Sequence, residues 1–121
     1  AYCDNHMQAI AASHMKKGDV ALGISHSGSS RDIVEALQIA KKNEAFTISI
    51  TNHGKSPIVK ASDISLYTSS KETQYSILGL NSRIAALAII DSIYAYIVNH
   101  MGEDAARAIN NVENALKTKK Y

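Results

Sequence analysis

Residues 18–42 read GDVALGISHSGSSRDIVEALQIAKK, and three patterns follow one another in this stretch. Residues 18–25 are nearly continuously apolar, which is typical of a short strand in a parallel sheet that is covered on both faces. A turn with four serines and one glycine comes next. From Asp32 to Lys42 apolar residues recur with a period of about 3.6, which predicts an amphipathic helix with Ser29 or Ser30 as its N-cap.

Two further β-rich segments, Phe46–Thr51 and Ile64–Tyr67, follow this first strand and helix. A strand, a helix and another strand in succession predict a β-α-β unit, in which the two strands are parallel and the crossover is right-handed. The sequence therefore predicts an α/β fold with a parallel sheet.

Four other segments are predicted to be helical: Asn5–Lys16, Ser56–Lys60, Glu72–Met101 and Glu103–Lys117. In the first of them we expect a set of residues to point inward, namely Met7, Ile10, Ala11 and Met15. The third of these helices carries apolar residues along two lines of its surface. Together they form an apolar stripe that is too wide to be covered by one neighbouring element. We therefore expect a homo-oligomer, a dimer or a tetramer.

The composition limits the class of protein. The 121 residues are 45% hydrophobic and 20% charged, as in one globular domain, and the formal net charge of +2 argues against binding of nucleic acid by this segment itself. The single cysteine, Cys3, excludes an internal disulfide and a cysteine-based zinc site. No apolar run approaches the roughly 20 residues that cross a bilayer. We expect a cytoplasmic protein with no membrane partner, no metal and no cofactor.

The serine turn occupies the place where open parallel sheets bind their ligands, between a strand and the N-terminus of a helix. Gly28 lets a ligand approach the backbone closely, and the serine hydroxyls can donate to phosphate oxygens without adding charge. These hydroxyls belong to Ser25, Ser27, Ser29 and Ser30. We expect an anion at this turn, most naturally a phosphate. The alternative is that Ser30 only caps the helix and that the other serines are turn residues.

Three other motifs do not fit this turn. A P-loop requires a lysine directly after its second glycine, and none follows Gly28, while Gly23 and Gly28 have the wrong spacing for a dinucleotide-binding motif. The G-x-S-x-G elbow of hydrolases requires a glycine where this chain has Ser27, so Ser25 is a poor candidate for a nucleophile. We predict no catalytic residue.

Beyond the first segment, residues 48–66 read ISITNHGKSPIVKASDISL and residues 72–97 read ETQYSILGLNSRIAALAIIDSIYAYI. Together the three segments resemble the sugar isomerase (SIS) domain, specifically the effector-sensing domain of RpiR-type bacterial transcriptional regulators. The similarity extends from about Asp4 to Ile97, and its core motif S-x-S-G-x-[ST] corresponds to residues 25–30. The RpiR subtype rests on DNHMQ near the start and on SRIAALAIIDSI.

The resemblance implies a flavodoxin-like three-layer sandwich, with a parallel sheet between helices, that binds a phosphorylated sugar. Carried over by position, it implies a set of phosphosugar-binding residues: Ser25, His26, Ser27, Gly28, Ser29, Ser30 and Glu72. In this set Ser25, Ser27 and Ser30, with the amides around Gly28 and Ser29, hold the phosphate. His26 lines the same opening, and Glu72 faces the sugar. Glu72 also has a plain alternative, an interaction with the dipole of its own helix.

Two features of the family are missing from this sequence. A complete SIS domain begins with another strand and a second serine-bearing turn, and an RpiR regulator carries a helix-turn-helix domain before it. We therefore expect residues 1–121 to be a single SIS-type phosphosugar-binding domain without its first strand unit, and a fragment of a longer chain. DNA is then contacted only through the missing N-terminal domain.

Two functions of different classes follow from this resemblance. The first is a sensor, in which a bound sugar phosphate changes the packing of domains or subunits and so controls an attached helix-turn-helix module. The second is an aldose–ketose phosphate isomerase, in which Glu72 or His26 moves a proton between adjacent carbons. The sensor is favoured because Glu72 has no evident acid–base partner beyond His26. A dimerisation scaffold with a decayed site is a third alternative.

Overall fold

The computed structural model describes residues 1–70, 80–117 and 119. The chain divides into two compact units, residues 1–86 and 87–121. Its elements in chain order are α1 (Asn5–Ser13), β1 (Val20–Ile24), α2 (Arg31–Lys42), β2 (Phe46–Thr51), α3 (Pro57–Ala61), β3 (Ile64–Tyr67), α4 (Leu80–Met101) and α5 (Glu103–Lys117).

The three strands form one parallel sheet in the order β1-β2-β3. Val20 pairs with Phe46 and Ile48 pairs with Ile64, so the carboxyl ends of all three strands lie at the same edge. Helix α2 connects the first two strands and α3 connects the last two. The predicted α/β fold, a parallel sheet with flanking helices, is confirmed.

One face of the sheet packs against α2 and α3. Gly23 lies so close to α2 that a Cβ there would come within 2.7 Å of Leu37 Cδ1. On the same face β2 places three hydroxyl side chains, Thr47, Ser49 and Thr51, all at most 1% exposed. Each of these hydroxyls has a hydrogen-bond partner, namely Asp63, Ser65 and the carbonyl of His26. Buried polar groups on this face are therefore satisfied, as stable packing requires.

Two small apolar clusters hold the helices in place. Residues of α2 and α3 form the first, which consists of Val34, Leu37, Ile58 and Ala61. The second joins α1 to α2 through alanines, and its buried members are Ala12, Ala40 and Ala45. Because alanines allow close approach, α1 packs tightly on α2.

Helix α1 differs from its prediction in length and in orientation. It ends at Ser13 and not at Lys16, because the Asn43 side-chain amide donates to the carbonyls of Ala12 (3.2 Å) and Ser13 (3.1 Å) and so satisfies the last turn. Met7 and Ile10, for which the sequence predicts an inward orientation, are 43% and 49% exposed. The helix meets α2 through Ala12 instead.

The opposite face of the sheet is apolar; Ile50 on it is 1% exposed, but residues around Ile50 on β1, at the start of β2 and on β3 are exposed. Five of its residues, which we call the apolar sheet face, are each at least 40% exposed: Val20, Leu22, Ile24, Phe46 and Ile64. Strand alternation places them away from α2, since Gly23 faces that helix. The expectation that both faces of the strands are covered is therefore met on the side of α2 and α3 and at Ile50, and it is not met for these five residues.

The last two helices are separated by Gly102, whose φ of +53° ends α4 as predicted. The predicted start of this helix at Glu72 lies outside the described residues. By length and composition alone, residues 81–101 are apolar enough to cross a membrane, although the core helix of a soluble protein passes the same test. This corrects the expectation that no apolar run is long enough. Asp91 lies in the middle of this segment, where a bilayer would impose a cost of about 3 kcal/mol.

Candidate functional site

The serine turn, residues 25–30, is organised from within by Ser25. This side chain is 5% exposed, and its Oγ accepts a hydrogen bond from the Gly28 amide (3.1 Å) and lies 3.0 Å from Ser30 Oγ. The Gly28 amide also donates a hydrogen bond of 3.1 Å to the Ser25 carbonyl. Ser25 therefore fixes the shape of the turn, and its hydroxyl is turned into the protein.

Gly28 allows the turn to lie against the next loop. Its φ is +66°, in the left-handed region that favours glycine, and a Cβ there would overlap the side chain of Ser56 and come within 2.8 Å of Thr51 Oγ1. The Gly28 carbonyl accepts a hydrogen bond of 3.0 Å from the Ile58 amide. The turn after β1 and the start of α3 are thus packed backbone to backbone.

Ser30 is the N-cap residue of α2, but its side chain makes no capping hydrogen bond. The hydroxyl is paired with Ser25 instead. A helix N-terminus whose first N–H groups are not used by a capping side chain retains donors for an anion. The structure therefore does not support the alternative that Ser30 serves only as a side-chain cap of α2.

The segment after β2, residues 52–57, comprises the connecting loop and the first residue of α3, and it is held next to the serine turn. The Asn52 amide donates to the His26 carbonyl at 3.0 Å, and Thr51 Oγ1 donates to the same oxygen at 3.2 Å. Within the loop, Ser56 Oγ donates to the His53 carbonyl at 2.6 Å. These bonds give both loops one fixed arrangement at the carboxyl edge of the sheet.

An open cleft of about 590 Å³ lies between the two loops. We call it the serine cleft; it is lined by Ser27, Ser29, Asn52, His53, Gly54, Lys55, Ser56 and Pro57. Its walls offer serine hydroxyls, an amide side chain and an imidazole. Among the described residues that line it, only Lys55 carries a formal charge at neutral pH. The cleft is therefore polar and weakly cationic, which suits a small anion.

His26 is not among the residues that line this cleft. Its ring is 5.9 Å from that of His53, edge to face, and its Nδ1 is buried without a hydrogen-bond partner among the described residues. Through this ring contact His26 supports His53, which does line the cleft. His53 lines the cleft and His26 contacts it, while the role of His26 toward a sugar phosphate stays a prediction.

Arg31, the first residue of α2, is committed to another partner. Its Nε donates to Glu35 at 2.7 Å, and this hydrogen bond raises the pKa of the Arg31 guanidinium. Arg31 is thus paired with Glu35 in an exposed ion pair within α2, and it does not line the cleft. Lys55 makes no hydrogen bond or ion pair within the described part of the chain.

The residues proposed from the sequence fall into three groups. Ser27 and Ser29 line the cleft, and Gly28 lies between them. Ser25, Ser30 and His26 do not line the cleft; Ser25 is buried, His26 is half-buried and Ser30 is exposed at the start of α2. Glu72 lies outside the described residues.

Sequence reasoning missed the second wall, residues 52–57, whose composition indicates only a loop. The pattern that points to it is the parallel sheet itself, because loops that follow neighbouring parallel strands emerge at the same edge. His53 and Lys55 closely follow β2, next to β1 and its serine turn. Their types, an imidazole and an ammonium, are common in anion sites.

At the other edge of the sheet a second polar cluster ties β3 to α2 and β2. Lys41 Nζ lies 2.8 Å from Asp63 Oδ1, while the amide and hydroxyl of Thr47 donate to Asp63 Oδ2. The hydrogen bonds from Lys41 and Thr47 lower the pKa of Asp63 to about 2. This cluster fastens the amino ends of the strands and has no part in the serine cleft.

Comparison with known proteins gives a consistent set of relatives. The model of the SIS domain family matches residues 4–98. An uncharacterized HTH-type transcriptional regulator of Caldanaerobacter subterraneus subsp. tengcongensis is 43% identical over 120 residues, which is 99% of this chain and 43% of that protein. The HTH-type transcriptional regulator RpiR of Escherichia coli K12 is 35% identical over 97 residues, 80% of this chain and 33% of the relative.

A solved structure has the same fold. The Vibrio vulnificus NanR protein complexed with ManNAc-6P superposes with a TM-score of 0.86 at 22% identity, over 98% of this chain and 45% of that one. This chain therefore spans less than half the length of each of these relatives.

Proposed function

The chain belongs to the SIS domain family, and from this premise we propose that it binds a sugar phosphate in the serine cleft as the sensing part of a transcriptional regulator. The observation that carries the proposal is the cleft itself, in which Ser27 and Ser29 oppose the loop of His53 and Lys55 at the carboxyl edge of a parallel sheet. Relatives named HTH-type transcriptional regulators support the regulatory role. The neighbour complexed with ManNAc-6P supports the ligand class.

In this proposal the residues have distinct roles. The hydroxyls of Ser27 and Ser29 and the free amides at the start of α2 hold the phosphate, while Ser25, His26, Gly28 and Ser30 keep the turn in shape. Glu72 is proposed to face the sugar, and this role is tested separately by Glu72→Gln. The phosphate oxygens then meet neutral donors, which bind them without a large desolvation cost.

We further propose that the domain acts within a longer protein. An attached helix-turn-helix module contacts DNA, this domain is a dimer or tetramer in the cytoplasm, and occupancy by the sugar phosphate changes the affinity for DNA. The large apolar residues exposed on α4, such as Leu87 and Tyr94, support self-association. Reciprocity is then required: the operator DNA changes the affinity for the sugar phosphate by the same factor.

Calorimetric titration of the full-length gene product tests the binding function. The ligands are hexose 6-phosphates, N-acetylated amino-sugar phosphates and pentose phosphates, each paired with its free sugar. We expect a phosphorylated sugar to bind and its free form to fail. Ser27→Ala should weaken binding, whereas the control Ser13→Ala, an exposed serine in α1 that bonds only to its own helix and His14, should not.

The same samples distinguish the sensor from the isomerase. Each mixture is analysed for isomerised sugar phosphate after the titration. Binding without product supports the sensor, and turnover would move the protein to the isomerases. The absence of binding by the whole panel would contradict both.

A further inference from the structure

We propose that Lys55 is the phosphate-selecting cation of the serine cleft and that the loop of residues 52–57 is a built second wall of the phosphate site. This inference rests on the proposed function. It adds Lys55, which lies outside the serine motif, to the phosphate site. In this role Lys55 lets the site distinguish a phosphorylated sugar from the same sugar without phosphate.

The first argument is the position of Lys55. It lines the same cleft as Ser27 and Ser29, which belong to the turn after the neighbouring strand. A ligand whose phosphate contacts these serines would occupy the space that Lys55 borders. Two loops that face each other across one cleft can hold one anion from both sides.

The second argument is charge. Sugar phosphates carry a charge of about −1.5 to −2 at pH 7. The serine turn supplies only neutral donors, and the cation that follows it, Arg31, is held by Glu35. Lys55 is the one formally charged residue among the described lining residues, so the phosphate charge has no other counterpart there. A charge-assisted hydrogen bond is about twice as strong as a neutral one.

The third argument is that the loop which carries Lys55 is fixed before any ligand arrives. Ser56 Oγ donates to the His53 carbonyl, and the Asn52 side chain accepts hydrogen bonds from the Ser70 amide (3.1 Å) and Thr68 Oγ1 (3.4 Å). The Lys55 side chain itself is exposed and has no partner among the described residues. The backbone is therefore held in place while the ammonium stays available.

The test uses the full-length protein and two probes, inorganic phosphate and glucose 6-phosphate, with glucose as the uncharged reference. Three variants are compared with the wild type: Lys55→Gln, Lys55→Arg and Lys60→Gln. The last is the matched control, since Lys60 is an exposed lysine of α3 that does not line the cleft. Titrations are run at low and at physiological salt.

We expect Lys55→Gln to weaken phosphate binding by about tenfold, which is the usual effect of losing a hydrogen bond to a charged group. Lys55→Arg should stay close to the wild type, and Lys60→Gln should match it. The salt dependence of binding should become shallower in Lys55→Gln only. The thermal unfolding midpoint should not change, because the side chain has no partner within the described part of the chain.

Two outcomes overturn the inference, and they differ. If the wild type binds a phosphate probe and Lys55→Gln binds it equally well, Lys55 has no selecting role and the proposed function stands. If the wild type binds neither inorganic phosphate nor glucose 6-phosphate nor any member of the sugar-phosphate panel, the proposed function fails and the role of Lys55 fails with it.

Discussion

Gly28 lies against the side chain of Ser56 so closely that no Cβ fits between them. This contact joins the turn after β1 to the loop after β2, and the hydrogen bond from the Ile58 amide to the Gly28 carbonyl reinforces it. The two walls of the serine cleft are therefore joined directly to each other. Several properties of the site depend on this junction.

Gly28→Ala should destabilise the protein by about 2–4 kcal/mol. The left-handed φ adds about 1 kcal/mol and the overlap with Ser56 and Thr51 adds about 1–3 kcal/mol. Gly102→Ala is the matched control, because Gly102 also has a positive φ but nothing lies within 4 Å of the position that a Cβ would take there. Denaturant unfolding of both variants measures the difference. Equal losses would contradict the packing role of Gly28.

Ser25→Ala should mainly lower stability, whereas Ser27→Ala should mainly weaken binding of a sugar phosphate. Ser25 is buried and bonded to Gly28 and Ser30, so its loss should lower the free energy of unfolding by about 1–2 kcal/mol. Ser27 lines the open cleft, so its replacement should change stability by no more than about 0.5 kcal/mol. Binding of a sugar phosphate should weaken in Ser27→Ala without loss of stability. A stable Ser25→Ala would argue against its structural role.

Asp63 should make the protein sensitive to acid. Its carboxylate has a folded-state pKa of about 2 against an ordinary value of 3.8, so the ionised form is favoured by folding. The stability that it contributes is present above pH 3.8 and is lost as the pH falls toward 2. Asp63→Asn should be less stable near neutral pH, and its difference from the wild type should shrink over this interval.

Urea unfolding at a series of pH values measures this effect. The control is Asp91→Asn, since Asp91 is exposed on α4 and has no hydrogen bond or ion pair among the described residues. We expect its difference from the wild type to be small at every pH. If the free energy of unfolding of Asp63→Asn differed from that of the wild type by the same amount down to pH 2, the stabilising role of the Asp63 carboxylate would be contradicted.

Leu87→Glu should shift the protein from an oligomer toward a monomer. Leu87 and its helical neighbours Ile84 and Tyr94 are all more than half exposed, and a carboxylate inside such an apolar contact costs several kcal/mol. Asn99→Glu, at an exposed polar position of the same helix, is the control and should leave the oligomer intact. Light scattering measures both. A monomeric wild type at high concentration would contradict self-association through α4.

The strands are predictable because their composition is unambiguous. Phe46–Thr51 and Ile64–Tyr67 have the bounds expected from their β-branched and aromatic residues, and α2 begins one residue before the expected Asp32. The S-x-S-G-x-[ST] motif also identifies the turn that lines the cleft. Pattern and structure agree in these segments because burial of a strand in a parallel sheet requires the same apolar and β-branched residues that mark it in the sequence.

The errors concern contacts between distant residues. The end of α1 is set by Asn43, which is 30 residues away from Ser13, and no local pattern contains that information. Ser30 is the N-cap residue of α2 as predicted, but no local pattern shows that its hydroxyl pairs with Ser25 and makes no capping hydrogen bond. The role of the loop with Lys55 depends on the order of strands in the sheet. Periodicity alone misjudges Met7, because α1 contacts α2 through alanines.

The apolar sheet face has a practical consequence for laboratory work. Val20 and Phe46 stand side by side on neighbouring strands, and an exposed apolar surface of this kind favours adhesion between molecules. Preparations of these residues alone are therefore expected to aggregate more readily as their concentration rises, and additives that cover apolar surface should counteract this.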